Sequence, residues 1–300
     1  MTRNTDLLIT AMAPVIWGST YLVTTEYLPA GYPITVAMLR ALPVGLLLLL
    51  VVRQLPSGTW WLKVTLLGAL NFSLFWWLLF VSAYRLPGGV AATLGAIQPL
   101  IVIVLARLLL GSPVRALSVI AALAGLGGIA FLILTPQTSV DPIGVGAGLA
   151  GAVSMAAGTV LSRRWQPTVS LLTFTAWQLV AGGLLLLPAA MWLEPTLPNL
   201  SQSNLYGFMY LGLIGAALTY MLWFRGIALL EPSLVSTLGF LSPLTAVVIG
   251  WYVLEQSLSA WQLLGACIVF MSVWISQYAN HKATTPAPQH TYELELSKAC

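Results

Sequence analysis

Long apolar runs alternate with short polar joints along this chain, and the runs share one recurring length. A helix rising 1.5 Å per residue needs about 20 apolar residues to cross a hydrocarbon layer of about 30 Å. Laid along the sequence, that ruler predicts ten spans, near 7–25, 33–52, 63–83, 88–110, 117–134, 143–162, 170–192, 204–228, 233–254 and 261–278. The joints carry helix-ending residues: Pro29 to Pro33, Gln54 to Ser57, Ser112-Pro113, Pro136 to Pro142, Gln166-Pro167 and Pro195 to Asn199. Connections this short force antiparallel neighbours. Arg3 precedes the first run as in a secretion signal, but Trp17, Tyr21 and Glu26 stand where small residues would mark cleavage. The first run is therefore read as a retained helix.

Composition turns this pattern into a statement about solvent. Hydrophobic residues make up 59 % of the 300 positions and charged residues 7 %, against about 45–50 % and about 25 % in an ordinary globular chain. Mean hydropathy is +0.92. So few charges cannot keep the chain in water, which excludes a soluble enzyme, a nucleic-acid binder and a secreted disulfide scaffold. The two cysteines, Cys267 and Cys300, give no disulfide or metal spacing, and both histidines, His281 and His290, lie in the polar C-terminal tail. Asp6 and Asp141 stand at or beyond the ends of apolar runs. No hydrolytic, redox or zinc constellation can form inside the spans, and no cofactor, metal or enzyme activity is expected.

The basic residues set the orientation. With the N-terminus cytoplasmic, Arg3, Arg53, Lys63, Arg107, Arg115, Arg163, Arg164, Arg225, Lys282 and Lys298 all face inward. Arg85 alone faces outward, and Arg40 lies within the second span. The chain is expected to be a multi-pass membrane protein with both termini cytoplasmic.

A shift of 144 positions lays Thr93, Leu94, Gly95, Pro99 and Leu100 on Thr237, Leu238, Gly239, Pro243 and Leu244, and Leu78 and Phe80 on Leu222 and Phe224. Abundant leucine does not explain glycine and proline kept in one register. The chain reads as an all-α integral membrane protein of ten transmembrane helices, duplicated as 7–134 and 143–278, with a disordered cytoplasmic tail at 279–300. Five passes per copy is an odd number, so the copies are inverted, as in many secondary transporters with a midplane site between their halves.

Candidate site residues follow from depth. Pro99 and Pro243 each remove the donor to a carbonyl four residues earlier, that of Gly95 or Gly239. The two pairs are expected to be hinges lining a cavity, with a packing kink as the plainer alternative. Trp17 and Tyr21 share one helix face. Trp77 and Trp177 lie deeper than the interfacial belts that account for Trp60, Trp61, Trp192 and Trp261, and Tyr220 lies within the eighth span. Aromatic groups at this depth suit a planar, amphipathic ligand. Asn71, Gln98, Gln178 and Ser242 add neutral hydrogen-bonding groups, for which interhelical bonding is the structural alternative. Arg40, seven residues into its span and about 10 Å down, either snorkels or pairs structurally, or it holds a substrate carboxylate or a freed carbonyl. The glycine faces of spans five and six suit close packing within one chain or in a homodimer.

Trp17-Gly18-Ser19-Thr20-Tyr21, Arg40, Tyr252 to Gln256 and Gln262 to Ala266 together resemble the ten-helix EamA type of the drug/metabolite transporter superfamily, over nearly all of 7–278. The first half has Leu110-Gly111-Ser112-Pro113 where the second has an acidic residue. The run Ala13 to Tyr21 and the tryptophan-rich third span are similar to the PecM-type branch, inner-membrane proteins associated with export of the blue pigment indigoidine and with control of pectinase and cellulase production. The resemblance implies an exporter of a small planar or amphipathic metabolite, a pigment or an amino-acid-like compound, working by alternating access. A membrane-embedded regulatory or sensory protein that binds a metabolite without moving it is the alternative. The partners implied are a small molecule and the lipid bilayer, with no nucleic acid, and no phosphate-binding loop provides for ATP drive.

Overall fold

Prolines and capping side chains cut the apolar sequence into helices close to where hydropathy does. The computed structural model describes residues 3–29, 31–85, 94–133, 141–253, 255 and 259–281. Among them α1 is Arg3–Tyr27 and α2 is Pro33–Val52, while α3 runs from Trp60–Gly68 through π-helical Ala69–Ser73 into Leu74–Arg85. Then follow α4 (Gln98–Leu110), α5 (Ala116–Ile133), α6 (Pro142–Arg164) and α7 (Leu171–Leu193). Helix α8 runs from Gln202–Met209 through π-helical Tyr210–Leu218 into Thr219–Leu229, α9 is Pro232–Leu238 and Leu241–Val253, and α10 is Ala260–His281. The described ends fall within about one turn of the expected spans. The start of the fourth span, at 86–93, lies outside the described residues, as does the tail from 282 on; α10 carries 279–281 as helix.

Seven of these passes are long and apolar enough to cross a membrane; α4, α5 and α10 are shorter apolar helices. The outward surface confirms the solvent. Leu50, Leu62, Leu108 and Met191 are each about 70 % or more exposed, a distribution that only lipid makes favourable. Starts are fixed by caps that satisfy orphan N–H groups. Asp141 accepts from the Gly144 N–H at 2.8 Å, and Ser170 from that of Thr173 at 3.1 Å. The Asp141 carboxyl is held below the usual aspartate range, chiefly by the Gly144 N–H and further by Arg85.

The inversion is visible in which ends meet. At the end of α7 the Glu194 carboxylate accepts the Ile34 and Thr35 N–H groups, each at 2.7 Å, at the start of α2. At the other end the Trp177 indole N–H, near the start of α7, donates at 2.6 Å to the Gln54 carbonyl just past α2. The second helices of the two halves thus run antiparallel. Phe131, late in α5, likewise stacks on Trp261 at the start of α10, with centroids 5.7 Å apart. Corresponding helices run in opposite directions, so the halves are inverted. Contacts between halves are exchanged accordingly: α1 packs on α8 and α9, and α6 on α3 and α4.

Lipid supplies no hydrophobic drive between helices, so close approach depends on small residues. The α2–α7 crossing is reciprocal: a β-carbon on Gly45 would come within 2.9 Å of Leu179 Cβ, and one on Gly183 within 2.6 Å of Leu42 Cβ. Several glycines of α5 and α6 are used up inside the chain. Gly125 packs on Phe240, Gly128 on Gly265 and Ile268, and Gly148 on Leu94 and Ser82.

Gly45→Ala places its methyl 2.8 Å from the Val180 backbone nitrogen, where nothing can give, and is expected to cost about 1–3 kcal/mol. Gly146→Ala meets nothing within 4 Å and should be neutral or slightly stabilising. Thermal unfolding of the two purified variants in detergent compares them; equal midpoints would mean that the α2–α7 crossing is looser than described.

Candidate substrate site between the halves

The third helix of each half contains a π-helical segment. Shifting Ala69–Ser73 by 144 positions places it at 213–217, inside Tyr210–Leu218. A π turn carries an extra residue and disturbs the regular i→i−4 pairing, which brings unusual groups to one face, frequently at functional sites. The aromatic centre of the molecule forms beside these two segments. Trp17 of α1 lies 5.1 Å from both Tyr220 and Trp223, and Tyr220 lies 4.4 Å from Phe72, between ring centroids. Trp76 faces Tyr220 at 6.4 Å with the rings nearly perpendicular. Trp76 is 4 % and Tyr220 2 % exposed, and the 144-residue shift makes them each other's repeat equivalents. They meet across the relation that exchanges the halves.

Arg40 does not snorkel. Its Nη2 donates to the Gly215 carbonyl at 2.6 Å, and its guanidinium lies 4.8 Å from the Trp76 ring centre. The π segment supplies the carbonyl and the indole an electron-rich face, so the interior offers the cation more than the distant surface does. The same carbonyl accepts Thr219 Oγ1 at 2.9 Å, and Thr219 Oγ1 accepts the Trp17 indole N–H at 2.9 Å. One network therefore joins α1, α2 and α8.

The other half repeats the contact with different chemistry. The starts of α2 and α7, Pro33 and Leu171, stand 138 positions apart, as do Gly45 and Gly183, which sets Gln178 in the place of Arg40. The 144-residue shift sets Asn71 in the place of Gly215. Asn71 Nδ2 donates to Gln178 Oε1 at 2.8 Å and also approaches Ser162 Oγ at 3.2 Å. A cation meeting a carbonyl on one side thus corresponds to an amide meeting an amide on the other. Arg40 Nε, Gln178 Nε2 and Trp223 Nε1 are buried without an acceptor among the described residues.

Of the residues singled out in the sequence, Trp17, Tyr220 and Arg40 converge here, with Asn71 and Gln178 in the matching polar pair. The Tyr21 side chain lies outside the described residues. Trp77 does not join them: it is 42 % exposed and lines a surface concavity of about 220 Å³ with Pro33, Ile34, Phe80, Val81 and Arg85. Its neighbour Trp76 turns inward instead. Trp177 is buried, but its N–H is taken by the Gln54 carbonyl and its ring lies 6.4 Å from Trp60, so it pins the joint between α2 and α3. Gln98 is the first residue of α4, its Nε2 buried and without a partner among the described residues.

The proline pairs, expected as hinges in mid-helix, stand instead just after an interruption of the helix. Helix α4 resumes at Gln98 after a turn at Ala96-Ile97, and α9 resumes at Leu241 after a turn at Gly239-Phe240, within one residue of the 144-residue register. Pro99 and Pro243 therefore stand in the first turn of a resumed helix, where a missing N–H costs little. The Gly239 carbonyl is not left open, because the Ser242 N–H donates to it at 3.1 Å. A β-carbon on Gly95 meets nothing within 4 Å, whereas one on Gly18 would come within 2.6 Å of the Ser242 carbonyl. Trp76 is the residue that reading by depth passed over, and its signal was the repeat itself, which pairs it with Tyr220.

Ten helical passes in two inverted copies, with an aromatic and polar centre between them, define a membrane transporter of the duplicated type. The family model described as the EamA-like transporter family matches residues 5–134 and 142–278, and the chain belongs to that family. Protein PecM of Dickeya dadantii is 44 % identical over 283 residues, 92 % of this chain and 95 % of that one. An uncharacterized inner membrane transporter, YedA of Escherichia coli K12, is 30 % identical, covering 87 % of each chain. An uncharacterized transporter, YvbV of Bacillus subtilis, is 26 % identical over 90 % of this chain and 91 % of its own length. A solved crystal structure superposes with a TM-score of 0.80 at 20 % identity, over 95 % of this chain and 100 % of that one, which shows the shared fold.

Asn71→Ala leaves the Gln178 amide with no partner on either of its polar atoms and is expected to cost about 1–3 kcal/mol. The double variant Asn71→Ala with Gln178→Ala should lose less than the sum of the single changes. Additive losses in the unfolding midpoints would mean that the two amides do not act as a pair.

Proposed function

We propose that the chain exports a small planar or amphipathic metabolite across a bacterial inner membrane by alternating access between its halves, with both termini cytoplasmic. The supporting observation is the placement of Trp76 and Tyr220, repeat equivalents that face each other beside Trp17 at the junction of the halves. A flat ligand inserted there would exchange one aromatic face for another as the halves exchange conformations. The turns in α4 and α9, at matching positions, are the proposed hinges, with Gly95, Pro99, Gly239 and Pro243 in them. Gln98 and Ser242 flank those turns, and Tyr21 stands one turn beyond Trp17. The inner-membrane location is supported by the relative named for it, and the orientation by the gathering of lysine and arginine at one end of the passes.

Ion pairs bridge the halves at opposite ends. Arg225, late in α8, pairs with Asp6 at the start of α1 at 2.6 Å, and Arg85, at the end of α3, pairs with Asp141 just before α6 at 3.4 Å. The first pair is half-buried and the second exposed. In this reading the end carrying Asp6 is the more firmly closed, and the site communicates more readily with the end carrying Arg85.

In proteoliposomes loaded with a panel of planar metabolites, the wild-type chain is expected to release at least one of them. Trp76→Ala and Tyr220→Ala should slow that release by about tenfold, a loss near 1.4 kcal/mol, while Trp77→Ala leaves it within about twofold. Wild-type release by both core variants would remove the aromatic centre from the path. Binding of a metabolite with no release would favour the regulatory or sensory reading.

A further inference from the structure

The centre contains a cation that its surroundings do not neutralise. Arg225 pairs with Asp6 and Arg85 with Asp141, and Arg40 takes part in neither pair. Among the described residues its partners are one backbone carbonyl and one aromatic face. A guanidinium offers five N–H donors in one plane, and here the buried Nε has no acceptor among the described residues. Inside a membrane an unpaired charge is costly and is ordinarily kept for use.

The duplicated fold supplies its own control. If the charge served only to hold α2 against the π segment of α8, the equivalent contact of α7 against the π segment of α3 would need one too. That contact is made by neutral Gln178 with Asn71. The packing of the halves is therefore satisfied by an amide, and the charge at residue 40 answers to something else. Gly215 presents no side chain beside the guanidinium; a β-carbon there would stand 3.5 Å from Nη2.

Resting on the reading of this centre as the substrate site, we propose that the ligand carries a carboxylate, which docks on Arg40 while its flat body lies against Trp76, Tyr220 and Trp17. A carboxylate accepts from the planar donors of a guanidinium in a way that a neutral amide cannot match. It gives Nε its missing partner and leaves the loaded centre without net charge for the passage between conformations. The substrate class is then aromatic or planar carboxylates.

Calorimetric titration of the purified full chain in lipid nanodiscs separates the possibilities with matched acids and amides: benzoate with benzamide, nicotinate with nicotinamide, indole-3-acetate with indole-3-acetamide. In at least one pair the acid is expected to bind about tenfold or more tightly than its amide, and tryptamine more weakly than indole-3-acetate. Arg40→Gln should abolish the preference, bringing the ratio of acid to amide affinity to about one. These comparisons on the unmodified chain depend on no variant folding. Amides that bind as well as their acids, or tryptamine that binds best of the indoles, would overturn the carboxylate proposal and leave the aromatic site standing. Heat from no member of any pair would overturn the site reading together with it.

Discussion

Hydrocarbon offers no hydrogen bonds, so every polar group taken into the bundle must find its partner there. The Gly215 carbonyl is where that requirement organises the centre. The π segment of α8 turns it toward α2, and it accepts from both Arg40 and Thr219, while Thr219 in turn accepts from Trp17. Three helices are thereby held in register by one oxygen. The position of α2 then sets α7 through the reciprocal glycine contacts at Gly45 and Gly183. The aromatic rings fill the space this register leaves, which is why Trp17, Trp76 and Tyr220 meet although they come from separate helices.

Duplication makes the departures from symmetry informative. The backbone relations recur in both halves: π segments in α3 and α8, turns in α4 and α9, and α1 against α8 answered by α6 against α3. The side chains at the centre do not recur. Arg40 and Gln178 occupy equivalent places with different charge, and Trp76 answers Tyr220 with a different ring. A frame that is symmetric in shape can exchange the conformations of its halves at modest cost, and a centre that is asymmetric in chemistry favours one conformation over the other until a ligand alters the balance. Under the proposed function, that combination allows a symmetric bundle to move its substrate with a preferred direction of rest.

The span pattern was legible because membrane thickness imposes it: every helix had to be near one length, and prolines or capping residues mark the joints. Helix α2, expected at 33–52, occupies Pro33–Val52. The duplication was legible for the same reason that it matters, since glycine and proline cannot drift where the backbone turns. What escaped was which way a side chain points. Depth selected Trp77, but adjacent residues on a helix are separated by about 100°, and the π segment just before it sets which of two neighbouring indoles faces inward. Depth also selected Trp177, whose partner is a joint that folds back over the helix end and gives no hydropathy signal. A continuous span puts the hinge prolines in mid-helix, whereas the structure interrupts the helix before each of them, so that Pro99 and Pro243 stand in the first turn of a resumed segment.

The interhelical clamps sort by their place relative to the exchange of halves. Under the proposed alternating access, helices α2 and α7, each other's equivalents and lying against one another, keep their contact when the halves trade conformations. That contact carries the multiple, short bonds: both oxygens of Glu194 on two N–H groups at a helix start, where the helix dipole favours a carboxylate, and Trp177 on Gln54. The pairs α1–α8 and α3–α6 are exchanged for one another, so one must loosen as the other tightens. Both pairs are bridged by several bonds. The α1–α8 pair is bridged by the half-buried Arg225–Asp6 pair, by Ser19 with Tyr210 at 2.6 Å and by Asn204 donating to the Tyr27 carbonyl at 2.8 Å. The α3–α6 pair is bridged by Ser154 donating to the Leu70 carbonyl at 2.8 Å and by the Arg85–Asp141 pair, which is exposed and worth little. The Glu194 and Trp177 bonds at this fulcrum can persist through the proposed exchange, whereas the bonds of the α1–α8 and α3–α6 pairs must be traded, one set loosening as the other forms.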